Sequence, residues 1–343
     1  MIIKDKKVIF EKSDMHFVKK FGPIDAANMV QDFRLHKKTP FVYDTYQLAF
    51  LLRVGRKSLF SILKNIDEQY RSVTIKKKNG KDRILSVPRH SLKHIQSVIL
   101  RRILSEIPVS EYAKAYKKGT SLIDNASPHI GKKYLLKIDI TDFFGSIYFD
   151  QVYKAAFNRN FFPIQIGTIL TTLCTKNDTL PQGASTSPAL SNLVMKNFDD
   201  NIGSWCKKRD ISYTRYCDDM TFSSDKPLYT VYTKVSKMLE DMGFEVNAKK
   251  THFVTNSSRQ SVTGLTVNEK MSVSSDYKRK LRQEVHYALE FGFSDALSHV
   301  GNPNITSAEQ YRNHLVGKIK YVLQIEPQNH WFIDALYRMD YVK

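Results

Sequence analysis

A chain of 343 residues with 53 Lys+Arg against 34 Asp+Glu carries a formal net charge of +19, and 42% of it is apolar. This composition supports a folded core in more than one lobe and excludes wholesale disorder. Cys174, Cys206 and Cys217 stand at no paired or metal-ligand spacing, which excludes a disulfide scaffold or a thiolate zinc site as the expectation.

Residues 1–45 show no clean period and end in the break Lys37-Lys38-Thr39-Pro40, so they read as an N-terminal extension. Met1 to Lys20 holds no apolar run of signal-peptide length, and no stretch approaches the roughly eighteen apolar residues of a membrane span. The expectation is a cytoplasmic protein with no membrane partner. Ser72 to Ile75 and Arg83 to Val87 flank Lys-Lys-Asn-Gly-Lys-Asp, which predicts a hairpin turning at Asn79-Gly80. Leu92, Ile95, Ile99 and Ile103 recur at helical spacing. Tyr134 to Ile140 reads as a strand entering an acidic, aromatic corner. Val231, Val235, Met238 and Met242 mark a helix that Gly243 ends. Two further stripes follow, Leu281, Val285, Ala288 and Leu289, then Tyr311, Leu315, Ile319 and Val322, the second opened by a capping box from Thr306 to Glu309. Trp331, Phe332 and Leu336 are expected to pack the last helix down. Helices and hairpins around short strands, with a helical tail, read as α+β.

The basic residues are grouped. Lys76, Lys77, Lys78, Lys81 and Arg83 surround the hairpin turn, Lys93, Arg101 and Arg102 lie on the next helix, and Lys278, Arg279, Lys280 and Arg282 lie near the C-terminus. A basic soluble surface explains charge alone; three separate clusters suit a channel that grips a polyanionic strand.

In Tyr213-Thr-Arg-Tyr-Cys-Asp-Asp-Met-Thr-Phe-Ser223, two strand-like halves flank Asp218-Asp219. Adjacent carboxylates raise one another's pKa unless cations compensate, and a solvated Asp-Asp turn is the commoner fate of that dipeptide. Asp139 changes the balance, because it sits in an apolar strand where an unpaired carboxylate is costly. A strand acid beside a hairpin acid pair makes an oxygen-rich cage for hard cations such as Mg²⁺. Two such ions about 4 Å apart serve in-line phosphoryl transfer. Asp142 reads as solvent-facing or capping.

Asp139 with Phe144, Leu180-Pro-Gln-Gly183 and Tyr216-Cys-Asp-Asp219 resemble, in order and spacing, the A, B and C motifs of reverse transcriptases. The resemblance runs from about Lys76 to the end. Asn125-Ala-Ser-Pro-His129 and Val262-Thr-Gly264 resemble two hallmarks of the bacterial retron enzymes, and Cys217 departs from the commoner Ala of their motif. The resemblance implies a right-hand polymerase of α+β class with an antiparallel palm sheet: fingers 46–130, palm 131–265 with 160–200 completing the fingers–palm, and a helical thumb 266–343. It implies two Mg²⁺ ions on Asp139, Asp218, Asp219 and the Ile140 carbonyl. Arg83, and Lys76 or a neighbouring lysine, would pair with the incoming triphosphate, and Gln182 and Gly183 would sit beside the nascent base pair. Phe144 would block a ribose 2′-hydroxyl, core packing being the alternative. Lys250 matches the lysine near the leaving pyrophosphate, a candidate general acid, with Lys249 or a solvated lysine pair as alternatives. Asn125 and His129 would order a loop or touch RNA. Val262, Thr263, Gly264, Lys278, Arg279 and Arg282 complete the RNA-binding candidates. The implied partners are dNTPs, a cognate structured non-coding RNA serving as primer and template, its branched DNA product begun from a guanosine 2′-hydroxyl, and an effector protein in anti-phage defence. A group II intron-like or CRISPR-linked reverse transcriptase is the rival enzyme, and an RNA-binding scaffold of a toxin or effector complex the rival of another class.

Overall fold

The computed structural model describes residues 40–76, 80, 82–299 and 305–339, with shorter pieces at 2–4, 7–9, 18–20, 22 and 24–29. Within the segment read as an extension, Ile2–Lys4 and Lys7–Ile9 pair as a small antiparallel hairpin. Strands β1 (Tyr70–Lys76) and β2 (Asp82–Pro88) pair antiparallel from Tyr70↔Pro88 to Lys76↔Asp82. The expected hairpin is therefore present. Gly80 takes the left-handed φ of +79° that a tight turn demands, while Lys77, Lys78, Asn79 and Lys81 lie outside the described residues. In helix α1 (His90–Arg102), Leu92, Ile95 and Ile99 are fully buried, and Ile103, also buried, ends it.

A four-stranded antiparallel sheet follows. It is built from β3 (Tyr134–Asp139), β4 (Ser212–Tyr216), β5 (Asp219–Ser224) and β6 (His252–Thr255), in the order β4–β5–β3–β6. Side chains alternate between its faces. Leu136, Ile138, Met220 and Phe222 are fully buried on one face. They share a core with residues of helices α2 (Ile164–Cys174), α3 (Ser187–Val194), α4 (Lys196–Lys207) and α5 (Tyr229–Asp241). The other face carries Lys137 and Asp139 opposite Thr221 and Asp219. Helix α5 ends just before Gly243, which takes φ +81°.

A second core begins at the far end of that polar face, where Leu135 joins Ala126, Val262, Leu265 and three helices. These are α6 (Ser275–Ser298), α7 (Ala308–Ile325) and α8 (His330–Met339). Leu281, Val285, Ala288, Tyr311, Leu315, Ile319 and Val322 are buried, and Leu289 is partly so. Two sequence readings need correction. Helix α7 is capped by Ser307 rather than Thr306: Ser307 Oγ accepts the Gln310 amide, and Gln310 Oε1 accepts from the Thr306 amide and hydroxyl. Of the last helix's anchors, Phe332 is fully buried, but Trp331 is 40% exposed and lies beneath the Arg282 guanidinium, 5.5 Å from its ring centroid. Among the described residues no helix is long and apolar enough to cross a membrane.

Candidate active site

Strand β3 ends at Asp139, and the β3–β5 register sets Asp139 directly opposite Asp219. Opposite residues of an antiparallel pair project from the same face, so both carboxylates leave the polar face at one end of the sheet. The β4–β5 hairpin turns through Cys217 and Asp218, with Cys217 at a left-handed φ of +63°. The Ile140 amide donates to the Asp218 carbonyl at 3.3 Å, tying this turn to the end of β3. Asp139 is only 4% exposed. Lys250 Nζ donates to both of its carboxylate oxygens at 2.9 Å, and Asn247 Nδ2 to Oδ1 at 3.1 Å. The three acids open on a cleft of about 950 Å³ that Arg83, Phe144 and Gln182 also line.

Electrostatics fit a cation at this place. Burial pushes the Asp219 carboxyl above its usual range, and the nearby Asp218 and Asp139 charges add to that while Lys137 opposes it. The hydrogen bonds to Asp139 hold the Lys250 ammonium above the ordinary lysine range. That ammonium stands on Asp139 where a hard cation would bind, and carboxylate oxygens are the donors Mg²⁺ prefers. Among the described residues no group of three or more acidic, histidine or cysteine side chains stands arranged to hold a metal ion.

The cleft wall gathers most of the expected nucleotide contacts. Arg83 Nε donates to Gln182 Oε1 at 3.0 Å, and the Ser86 amide to the Gln182 carbonyl at 2.7 Å. Gly183 has φ +115°, and a Cβ there would stand 3.0 Å from the Ser86 carbonyl oxygen. Both Phe143 and Phe144 line the cleft, Phe143 buried and packed on Phe244, Phe144 half-buried against the core. Lys76 is different. It is exposed, pairs with Asp82 at 2.6 Å, and is not among the cleft residues. Asp142 and Lys249 are exposed.

The RNA-binding candidates divide. His129 is fully buried, with Nδ1 2.7 Å from Ser223 Oγ and Nε2 2.8 Å from Thr214 Oγ1. Asn125 is buried too, its Nδ2 3.4 Å from Thr263 Oγ1 and its carbonyl accepting from Thr214. Val262 belongs to the second core. His129 ties the loop to the sheet and Asn125 ties it to Thr263, which is the loop-ordering alternative of the two roles expected for them, and the side chains of Asn125, His129 and Val262 are all buried. Lys278 is largely buried in a 2.8 Å ion pair with Glu326. Arg279 remains on the surface beside Asp276.

Residues 75–280 match the profile of the family described as reverse transcriptase (RNA-dependent DNA polymerase). Over 311 residues the chain is 28% identical to the retron Ec86 reverse transcriptase of Escherichia coli, covering 89% of this chain and 92% of that one. It is 31% identical over 286 residues to the retron Ec83 reverse transcriptase of Escherichia coli, covering 78% and 85%. The chain belongs to the retron reverse transcriptases. Among solved structures, it is similar to telomerase from Candida albicans in complex with a TWJ fragment of telomeric RNA, at 13% identity and a TM-score of 0.42 over 82% of this chain and 63% of that one. This reverse transcriptase has the α+β architecture that its motifs imply, an antiparallel palm sheet followed by a helical thumb.

Three residues of the reverse transcriptase that no motif marked reach the site. Lys176 lines the cleft with Nζ 3.1 Å from Ser86 Oγ. Tyr116, at φ +55°, lines it beside Cys217. Arg215 reaches the Cys217 carbonyl from within the core, at 2.9 Å. The only sequence signal for Arg215 was a charge on the core-facing register of a strand.

Proposed function

We propose that this reverse transcriptase extends a primer along an RNA template at the cleft where Asp139, Asp218 and Asp219 converge. The observation that carries the reading is the cross-strand pair Asp139–Asp219 with a cation, Lys250 Nζ, already bonded to Asp139. Asp139, Asp218, Asp219 and the Ile140 carbonyl would hold two Mg²⁺ ions, which when bound neutralise charge on the reacting phosphates. Arg83, whose planar fork suits phosphate, grips the triphosphate, and Lys176 takes the place first given to Lys76. The Gln182-Gly183 backbone lies along the new base pair. Phe144 fills the space beside C2′ and excludes a ribose hydroxyl. Lys250 turns from Asp139 to the departing pyrophosphate and gives it a proton.

The retron type makes the template a cognate structured RNA, copied from an internal guanosine 2′-hydroxyl into branched DNA, with dNTPs as substrates. Work in the cytoplasm beside a defence effector completes the proposal, as do fingers at 46–130, a palm to 265 and a thumb beyond. The exposed basic residues supply a phosphate contact common to any RNA, which weakens as salt rises; specificity then rests on RNA shape and unpaired bases. The test is Asp218→Asn, which keeps the side-chain shape but removes a good metal ligand. DNA synthesis should vanish while RNA binding stays near wild type. Primer extension at the wild-type rate overturns the site assignment. Sequencing RNA that co-purifies with the protein tests the dedicated-template part: random RNA there, with no preference at either of two salt concentrations, favours a general reverse transcriptase.

A further inference from the structure

Arg215 heads the largest fully buried side chains among the described residues, with no exposure to solvent. A guanidinium in a core is costly unless its donors are met. Here they are. Nε donates to Asp199 Oδ1 at 2.8 Å and Oδ2 at 3.1 Å, and Nη2 to Asp199 Oδ2 at 2.6 Å and Asn192 Oδ1 at 3.1 Å. Nη1 donates to the Cys217 carbonyl at 2.9 Å. Asp199, on α4, is equally buried, and its Oδ1 also accepts the Tyr213 hydroxyl at 2.7 Å.

Charge neutralisation alone would need only Asp199. The bond to Cys217 does something else. Register places Arg215 opposite Met220, on the core face, away from the carboxylates. From there its side chain runs toward the turn and holds the carbonyl of the residue that precedes Asp218. Cys217 sits at φ +63°, a conformation that is strained for a non-glycine residue and lasts only where the surroundings impose it. A charge-assisted bond to its carbonyl is such an imposition. The main chain of Arg215 is fixed as well: its amide donates to the Tyr112 carbonyl at 2.9 Å, and its carbonyl accepts the Lys114 amide at 2.8 Å. Asn192 extends the bracing to α3 and donates to the Ala115 carbonyl at 2.8 Å. The turn is thus braced from α3, α4 and the 112–115 segment.

We infer that the Asp199–Arg215 pair is a positioning device that sets where the Asp218 carboxylate stands. Arg215 touches no substrate; it acts through the Cys217-Asp218 peptide. The inference rests on the proposed role of Asp218 as a metal ligand. Groups that orient a metal's ligands cost about 10–100-fold in metal affinity when removed, and that is the scale expected here.

The experiment compares Arg215→Lys with Tyr213→Phe. A lysine keeps a positive charge beside Asp199, but one ammonium cannot span Asp199, Asn192 and the Cys217 carbonyl together. Tyr213→Phe removes one hydrogen bond to Asp199 and leaves the turn alone. Each protein is measured for melting temperature, affinity for an annealed template–primer, Mn²⁺ half-saturation by the paramagnetic resonance of the ion, and primer extension. Arg215→Lys should bind template–primer like wild type, need about tenfold more Mn²⁺, and lose kcat with little change in KM for dNTP. Tyr213→Phe should melt lower with unchanged Mn²⁺ half-saturation. Wild-type Mn²⁺ binding in Arg215→Lys, or equal shifts in both variants, would reduce the pair to core support and overturn the inference. If Arg215→Lys does not fold, the double variant Asp199→Leu/Arg215→Met replaces the pair with apolar chains and carries the same expectation and the same refutation. Full extension by Asp218→Asn would instead sink the underlying site assignment, whatever the Arg215 variants do.

Discussion

Lys250 Nζ stands 2.9 Å from each carboxylate oxygen of Asp139. The ion pair is asymmetric in setting, since the Asp139 side chain is 6% exposed and that of Lys250 61%. Asp139 is held in the sheet, while the lysine can swing away. A divalent ion arriving at Asp139 therefore competes with an ammonium already there.

Lys250→Met separates the two roles. Without the competing ammonium, Mn²⁺ should bind the nucleic-acid-free protein more tightly. Without the acid, primer extension should fall by roughly 10²–10⁴-fold. Titration of Mn²⁺ beside single-turnover extension reads both, and weaker Mn²⁺ binding in the variant would refute the competition.

Phe144→Val opens the cleft wall where the ring now stands, half-buried beside Phe143 at 5.6 Å between centroids. Discrimination against a ribonucleotide should weaken, because steric rejection goes while base and phosphate contacts persist. The readout is the ratio of kcat/KM for one rNTP and its matching dNTP. An unchanged ratio in a folded, active variant assigns Phe144 to packing.

His129 makes stability depend on pH. Burial pushes its pKa down from 6.5 to about 3, so the folded chain keeps it neutral where the unfolded chain protonates it. Stability from this group is complete above about pH 6.5 and falls as the pH drops toward 3, by up to about 1.4 kcal/mol per pH unit. His129→Asn should be less stable at pH 7.5, by about 1 kcal/mol for each hydroxyl left without its partner. The gap from wild type should narrow by pH 5. Urea unfolding at the two pH values decides; a constant gap contradicts a neutral, buried imidazole.

Gly183→Ala should disturb the nucleotide pocket without touching a carboxylate. The added methyl meets the Ser86 carbonyl at 3.0 Å, and φ +115° suits no side chain. A stability loss of about 1–3 kcal/mol is expected, with a raised KM for dNTP. Thermal melting and steady-state extension check it, and wild-type values in both would mean that the loop relaxes freely.

The elements that sequence alone made legible are those with a local cause. Leu92, Ile95 and Ile99 repeat at helical spacing, Gly80 stands at the hairpin's turn, and Asp139 is conspicuous because a carboxylate is expensive in an apolar strand. What sequence missed depends on contacts between distant segments. Asp199 and Arg215 are 16 residues apart and meet only when α4 packs on β4. Lys176 reaches Ser86 across 90 residues. Motif spacing located Asn125 and His129 but gave no information on which way they face. Thr306 and Ser307 are both able to cap a helix, so adjacent chemistry could not choose between them. Lys76, at the outer end of β1, pairs with Asp82, and the neighbouring lysines of its cluster lie outside the described residues.

The hairpin of β1 and β2 is a cantilever. Its clamp is Ser86, bonded through its amide to Gln182 and through its hydroxyl to Lys176. From Ser86 the strand runs outward about 13 Å to Asp82, and Arg83 lies on that overhang with its single strut to Gln182 at 3.0 Å. A load on the free end bends the overhang about the clamp and strains that strut first. Gln182, fixed on its main-chain side, stays put. The Arg83–Gln182 distance is thus a gauge of what presses on the hairpin, read at the point where the new base pair is proposed to form.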